Sequence, residues 1–164
     1  MPLLEIRIYP DPVLKQPSSP VEVIDASIAG FIEELVATLR STPGVGLAAP
    51  QAGVPLRIIA VDVTPREPGS GLVVLINPVI ISATGAKKAR EGCLSVPEYT
   101  ANIQRAEEVV VRGIAPDGIE REIAAKGLEA IAFQHEIDHL DGILFLDRIT
   151  NMKRDLFRRK IKSL

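Results

Sequence analysis

The sequence predicts an α+β fold with a largely antiparallel sheet. Three observations carry this. Apolar residues at helical spacing appear near residues 25–39 and again at 127–141. The stretch between them holds several runs rich in Val and Ile and one hairpin signal. The order is therefore helix, several strands, helix, helix, and strands do not alternate with helices as a parallel sheet requires.

Each element has a local reason. Residues 9–20, YPDPVLKQPSSP, are rich in Pro and Ser and read as loop with one short turn. Asp25 is the expected N-cap of the first helix. Ile28, Phe31, Ile32, Leu35, Val36 and Leu39 then fall on one face, and Ser-Thr-Pro-Gly at 41–44 ends it. Leu56 to Val63 is almost unbroken apolar sequence, as in a strand buried on both faces. Leu72 to Ile81 is a second run, interrupted at Asn77-Pro78, which predicts a bend or bulge. Val109, Val110 and Val111 lead to a turn at Pro116-Asp117-Gly118 and a partner strand over Glu120 to Ala125. A helix opens at Gly127 and runs through Asp141, with Gly142 as its stop. Leu128, Ile131, Ala132, His135 and His139 share one stripe of it. A last helix is expected from about Asn151 to Lys162, capped by Thr150, with Met152, Leu156, Phe157 and Ile161 on its apolar face.

Composition excludes several classes. A chain of 164 residues, 46% hydrophobic and 24% charged, reads as one globular domain over 1–164, with neither the length for two nor the polarity of a disordered chain. One cysteine, Cys93, rules out a disulfide scaffold. No apolar stretch approaches the roughly 20 residues of a membrane span, and the N-terminus has no basic region before a long apolar core. These features predict a soluble, cytoplasmic protein with no membrane partner. Charge is uneven: residues 1–147 carry 12 basic and 20 acidic residues, whereas 148–164 carry seven basic and one acidic. A basic end on an acidic body implies either a polyanionic neighbour or a solvated helix face.

The chemistry is concentrated at His135-Glu136-Ile137-Asp138-His139, which is H-E-x-x-H. Four residues along a helix bring both imidazoles to one face, a geometry for two ligands of one ion. Glu136 lies about 100° round from His135 and can reach a metal-bound water without ligating. His135 and His139 are the only histidines, and no Glu follows Glu136, so the familiar third ligands of other H-E-x-x-H sites are missing. The one soft donor upstream is Cys93. Cys and His together supply three ligands, which favours an open catalytic site over a closed structural one. Polar, loop-like neighbours, Glu91-Gly92 and Ser95-Val96-Pro97-Glu98, argue that Cys93 is more than a buried apolar side chain.

Three segments resemble the motifs of the peptide deformylases: Gly44-Val45-Gly46-Leu47-Ala48-Ala49-Pro50-Gln51, Glu91-Gly92-Cys93-Leu94-Ser95, and Gln134-His135-Glu136-Ile137-Asp138-His139. Their order and separations match, and the length is similar to the bacterial short form. The resemblance implies a mixed, mainly antiparallel sheet surrounding the histidine-bearing helix. It implies hydrolysis of the formyl group from N-formylmethionyl peptides of nascent proteins, releasing formate, with a metal-bound water as nucleophile. It implies Cys93, His135 and His139 as ligands of one divalent ion, typically Fe(II), with Zn(II), Ni(II) or Co(II) able to replace it. Glu136 is then the general base and acid, and Gln51 and the Leu94 N–H hold the developing oxyanion.

On that reading, glycines flanking Val45 let a peptide backbone approach, so that a strand-like substrate runs along Val45, Gly46 and Gly92. Leu128, Ile131 and Ala132 line the methionine pocket. Where bacterial members often carry an Arg after Ser-x-Pro-Glu, this chain has Tyr99-Thr100, and the next Arg is Arg105. The basic C-terminal helix would face the rRNA phosphates of the ribosome surface, without sequence-specific nucleic-acid binding. Another metal-dependent amidase or peptidase, or an inactive metal- or peptide-binding domain, are the alternatives, and Glu136 speaks against the last.

Overall fold

The computed structural model describes residues 3–159. The first helix, α1 (Ala26–Arg40), begins where expected, with the Asp25 carboxylate accepting the Ile28 N–H at 2.9 Å. Strands β1 (Gly46–Ala48), β2 (Ile58–Val61), β3 (Val73–Thr84), β6 (Glu108–Ile114) and β7 (Glu120–Lys126) form a five-stranded sheet in the order β1-β2-β3-β6-β7. Strands β4 (Lys87–Cys93), β5 (Val96–Arg105) and β8 (Leu156–Arg158) form a second sheet in the order β4-β5-β8. Every strand pairing among the described residues is antiparallel. Two further α-helices, α2 (Gly127–Leu140) and α3 (Met152–Asp155), and short 3-10 turns at Pro12–Lys15, Ala49–Ala52 and Phe145–Arg148 complete the described chain.

The unbroken apolar run at β2 has a simple cause. At β2 the larger sheet is covered on both faces, so neither set of that strand's alternating side chains meets water. Ile59 and Val61 pack with Phe133, Ile137 and Leu140 of α2, whereas Ile58 and Ala60 pack with Ile32, Leu35 and Leu39 of α1. The interruption in β3 is a bulge: register shifts between Ile76 and Val79, and Asn77 has φ 53°. The Asn77 side chain secures the bend, accepting from the Val21 N–H at 2.9 Å and donating to the Val21 carbonyl at 2.8 Å.

Two expectations need correction. The polar surroundings of Cys93 are not loop: Glu91, Gly92 and Cys93 end β4, and Val96 opens β5 after a tight turn. The expected helix over 151–162 lasts only from Met152 to Asp155 and is capped by Asn151, whose carboxamide oxygen accepts the Arg154 N–H, not by Thr150. The chain then extends as β8, because the free edge of β5 offers a ladder for Leu156, Phe157 and Arg158. The remainder of the expected helix, including Lys160, Ile161 and Lys162, lies outside the described residues.

Candidate metal centre

The centre forms where the two sheets meet over α2. That helix is buried for most of its length, packing Ala130, Ala132, Phe133, Ile137 and Leu140 on the larger sheet. Its histidine stripe faces the opposite way, toward the end of β4. Cys93 belongs to the apolar cluster of the smaller sheet, with Val96, Ile103, Leu144 and Phe145. The ligands thus come from two elements held by separate cores.

Cys93, His135 and His139 place one donor atom each within 4.8 Å of one another. His139 Nε2 stands 3.4 Å from Cys93 Sγ and 3.3 Å from His135 Nε2. Donors about 2.0–2.3 Å from a shared ion at tetrahedral angles stand roughly 3.3–3.7 Å apart. The spacing therefore fits a tetrahedral ion with three protein ligands and one open position. His139 is 1% exposed and sits beneath the others.

A cleft of about 1030 Å³ opens above. Its lining includes Val45, Gly46, Gln51, Gly92, Cys93, Leu94, Leu128, Ile131, Ala132, His135 and Glu136, so all of the expected site residues except the deeper His139 meet in one space. Ala132 is also 3% exposed and packs in the core, whereas Ile131 lines the cleft without joining that core.

Glu136 is 3% exposed, and its Oε1 has no hydrogen-bond partner among the described residues. Leaving such an atom unpaired costs about 1–3 kcal/mol, which fits a group kept for a reactant. Burial pushes its pKa up to about 7, against the pull of His135 and Arg105. Its other oxygen lies where a Cβ on Gly46 would stand 2.6 Å away, so glycine is required there to admit the carboxylate.

Gln51 is oriented by its surroundings. Its Oε1 accepts the Ala48 N–H at 2.9 Å, which turns Nε2 toward Ser95 Oγ at 3.1 Å and Cys93 Sγ at 3.6 Å. A donor is thereby aimed at the edge of the centre.

A buried ionic chain behind the ligands was not visible in the sequence. His135 Nδ1 meets Glu91 Oε1 at 2.9 Å. Arg105 holds Glu91 with two bonds, 2.7 and 2.9 Å, and reaches Asp138 at 2.7 Å. Arg148 closes the chain on Asp138 at 2.5 and 2.7 Å. Arg105, the next Arg after the Tyr99-Thr100 departure, is therefore a buried strut at 5% exposure, away from the open cleft. No local signal marks these partners, because they lie 14 and 33 residues apart in sequence.

The chain also sets charge. Burial opposes ionisation of Glu91, but Arg105 and His135 more than offset it and hold its pKa below the usual carboxylate range. Burial alone would lower His135; the charge of Glu136, with Cys93 and Glu91, raises it well above its ordinary value. Burial and the His135 charge push His139 well below its own. Two imidazoles this close do not both take a proton.

Comparison with known proteins agrees with this geometry. The polypeptide deformylase family matches residues 3–155. The peptide deformylase of Thermodesulfovibrio yellowstonii is 48% identical over 163 residues, 99% of each chain. The crystal structure of a peptide deformylase from Legionella pneumophila superimposes with a TM-score of 0.87 at 40% identity, covering 93% of this chain and 89% of that one. A Met-Ala-Ser-bound crystal structure of the class I type b peptide deformylase from Acinetobacter baumannii gives 0.85 at 34% identity, covering 90% and 99%. Likeness of this extent, in sequence and in fold alike, means that the chain belongs to the peptide deformylase family of metal-binding hydrolases.

Proposed function

We propose that this enzyme removes the formyl group from N-formylmethionyl peptides in the cytoplasm, releasing formate, through one divalent ion held by Cys93, His135 and His139. The observation that carries the proposal is the buried Glu136 carboxylate, unpartnered at Oε1 among the described residues, beside a three-donor site with room for a fourth ligand. A bound divalent ion supplies Lewis-acid polarisation of the formyl carbonyl and acidification of a water. Fe(II) is the proposed occupant, and Zn(II), Ni(II) and Co(II) suit the same donors.

The residues of the chain divide the remaining work. Glu136 takes a proton from water as its oxygen attacks the formyl carbon, and returns it to the methionine nitrogen as the C–N bond breaks. The atoms balance: one formamide and one water give one amine and one formate. Gln51 Nε2 and the Leu94 N–H donate to the oxygen that gains charge, and a donor of this kind typically contributes about 2.7–4 kcal/mol. Val45, Gly46 and Gly92 offer backbone to an extended peptide. Leu128, Ile131 and the edge of Ala132 receive the unbranched methionine side chain. The Met-Ala-Ser peptide bound to the Acinetobacter baumannii relative supports this substrate class.

The described part of the basic segment offers charges for ribosome contact, and Lys160 and Lys162 lie outside the described residues. Arg154 is paired with Asp155, while Lys153 and Arg158 are exposed. Weak contact through these two is part of the proposal, and equal co-sedimentation with ribosomes by a Lys153→Glu/Arg158→Glu variant at low salt removes it.

Formate release from formyl-Met-Ala-Ser by anaerobically purified protein, with metal analysis of the same sample, tests the main reading. Formate with about one metal per chain and no cleavage of internal peptide bonds is expected. Cleavage of internal peptide bonds would favour a peptidase, and an intact substrate would overturn the activity.

A further inference from the structure

β8 joins the outer edge of β5 through the pairs Ala101↔Leu156, Thr100↔Phe157 and Tyr99↔Arg158. The Arg159 N–H donates to the Glu98 carbonyl at 2.7 Å and carries the ladder one residue further. On the other edge of β5, β4 places Gly92 opposite Thr100. Phe157, Thr100 and Gly92 therefore stand in one row across three strands. Residues two apart share a face of a sheet, so Arg159 goes with Phe157, and Arg90 goes with Gly92. The contacts agree. The Arg90 guanidinium lies 3.7 Å from the centroid of the Phe157 ring. Arg159 Nη2 lies 2.5 Å from where a Cβ on Gly92 would be. Arg159 reaches back across β5 and sets its guanidinium in the space left by the missing side chain of Gly92.

That position is in the wall of the cleft, next to Cys93 in sequence and in space. Arg159 is exposed, and it enters no ion pair among the described residues, unlike Arg154 on Asp155 or Arg148 on Asp138. An unneutralised guanidinium presents a planar fork of donors suited to a carboxylate or to successive carbonyl oxygens. A peptide held at the metal centre and running along Gly92 advances about 3.3 Å per residue, and so passes this fork within its first few residues.

Resting on the hydrolytic reading above, we propose that Arg159 is a substrate-positioning residue. Its guanidinium holds the main-chain carbonyls downstream of methionine and, in a short formyl peptide, the terminal carboxylate. The C-terminal strand, and not the Tyr99-Thr100 stretch, supplies this cation, beside Arg90 in the same wall of the cleft.

The test compares formyl-Met-Ala-Ser as free acid and as C-terminal amide. The parent is expected to show a KM about three- to tenfold lower for the acid, the range of a partly exposed charge-assisted pair. Arg159→Ala should raise KM for the acid more than for the amide and so abolish the difference between them, with kcat, metal content and melting temperature held. Arg159→Lys should retain part of the preference, and Arg159→Glu should reverse it. Equal KM values for acid and amide in the parent, or an unchanged KM for the acid in Arg159→Ala, would overturn the proposal. Calorimetric binding of the deformylated Met-Ala-Ser acid and amide to the metal-loaded protein reads the same preference without turnover. A failure of formate release therefore leaves this test intact and counts only against the activity.

Discussion

Glu136 and Cys93 show how much rests on single side chains. The Glu136 carboxylate is buried, unsatisfied at one oxygen and outside the ligand set. Glu136→Ala is expected to retain metal and lose about 10²–10⁴-fold in kcat, the usual share of general acid–base help. Near-parental turnover in a metal-loaded variant would remove Glu136 from the proton path. Specificity is also a matter of one or two residues. Ala132 packs in the core as well as edging the cleft, so enlarging it would overpack the interior. Ile131 lines the cleft without belonging to that cluster and is the cleaner probe. Ile131→Phe should raise KM for formyl-methionyl peptides by about 10-fold or more, in the roughly 10–200-fold range that one apolar pocket contact can govern, at unchanged metal content. An unchanged KM would place the methionine side chain elsewhere.

At the scale of elements, the ligand helix depends on strands the sequence did not reveal. Glu91 on β4 and Arg105 on β5 orient His135 through its Nδ1. Partners of this kind typically govern about 10–100-fold in metal affinity. Glu91→Gln, which keeps the shape and removes the charge facing Arg105, should weaken metal binding by about that factor in a chelator competition. Equal affinity would mean that packing alone orients the ring. The α3–β8 corner carries a pH signature. Asp155 is 1% exposed and held by Arg154 and Lys88, which lower its carboxyl to about 2 from an ordinary 3.8. The unfolded chain takes up the proton first as pH falls, so the stabilisation is complete above about pH 4 and is lost as pH drops through 2. Asp155→Asn should flatten the fall in melting temperature between those limits, and parallel curves for parent and variant would refute it.

What was legible follows the same physics. α1, β2, the β6–β7 hairpin and α2 have strong apolar periodicity or turn chemistry, and all are present. β4 reads Lys-Lys-Ala-Arg-Glu-Gly-Cys, a mostly exposed strand with no apolar run to announce it. β8 lies in a stretch whose amphipathic pattern predicts a helix, and it forms a strand where β5 has an edge to offer. The three ligands were legible because His and Cys are so few, whereas Glu91, Arg105, Asp138 and Arg148 are common residue types brought together by tertiary structure alone.

Over the whole molecule, the centre joins two bodies. His135 and His139 ride on the helix packed against the five-stranded sheet, and Cys93 ends a strand of the three-stranded one. An ion bound there ties the sheets together and favours the folded chain by mass action, by about 2.7 kcal/mol at a hundredfold excess over Kd. For a chain of this size that corresponds to roughly 5–10 °C in melting temperature. Chelation should lower the melting temperature by about that much and re-addition of metal should restore it. No change in either direction would mean that the sheets hold together without the ion. No helix among the described residues is long and apolar enough to cross a membrane.

The same arrangement makes the molecule its own indicator. Cys93 is the sole thiol in the chain, so a sulfhydryl reagent has one target and its reaction rate has one meaning. While the sulfur is committed to an ion, alkylation should be slow, and on chelation it should accelerate. Occupancy of the centre can then be followed by mass or absorbance in real time, with no added label and no second cysteine to mutate away.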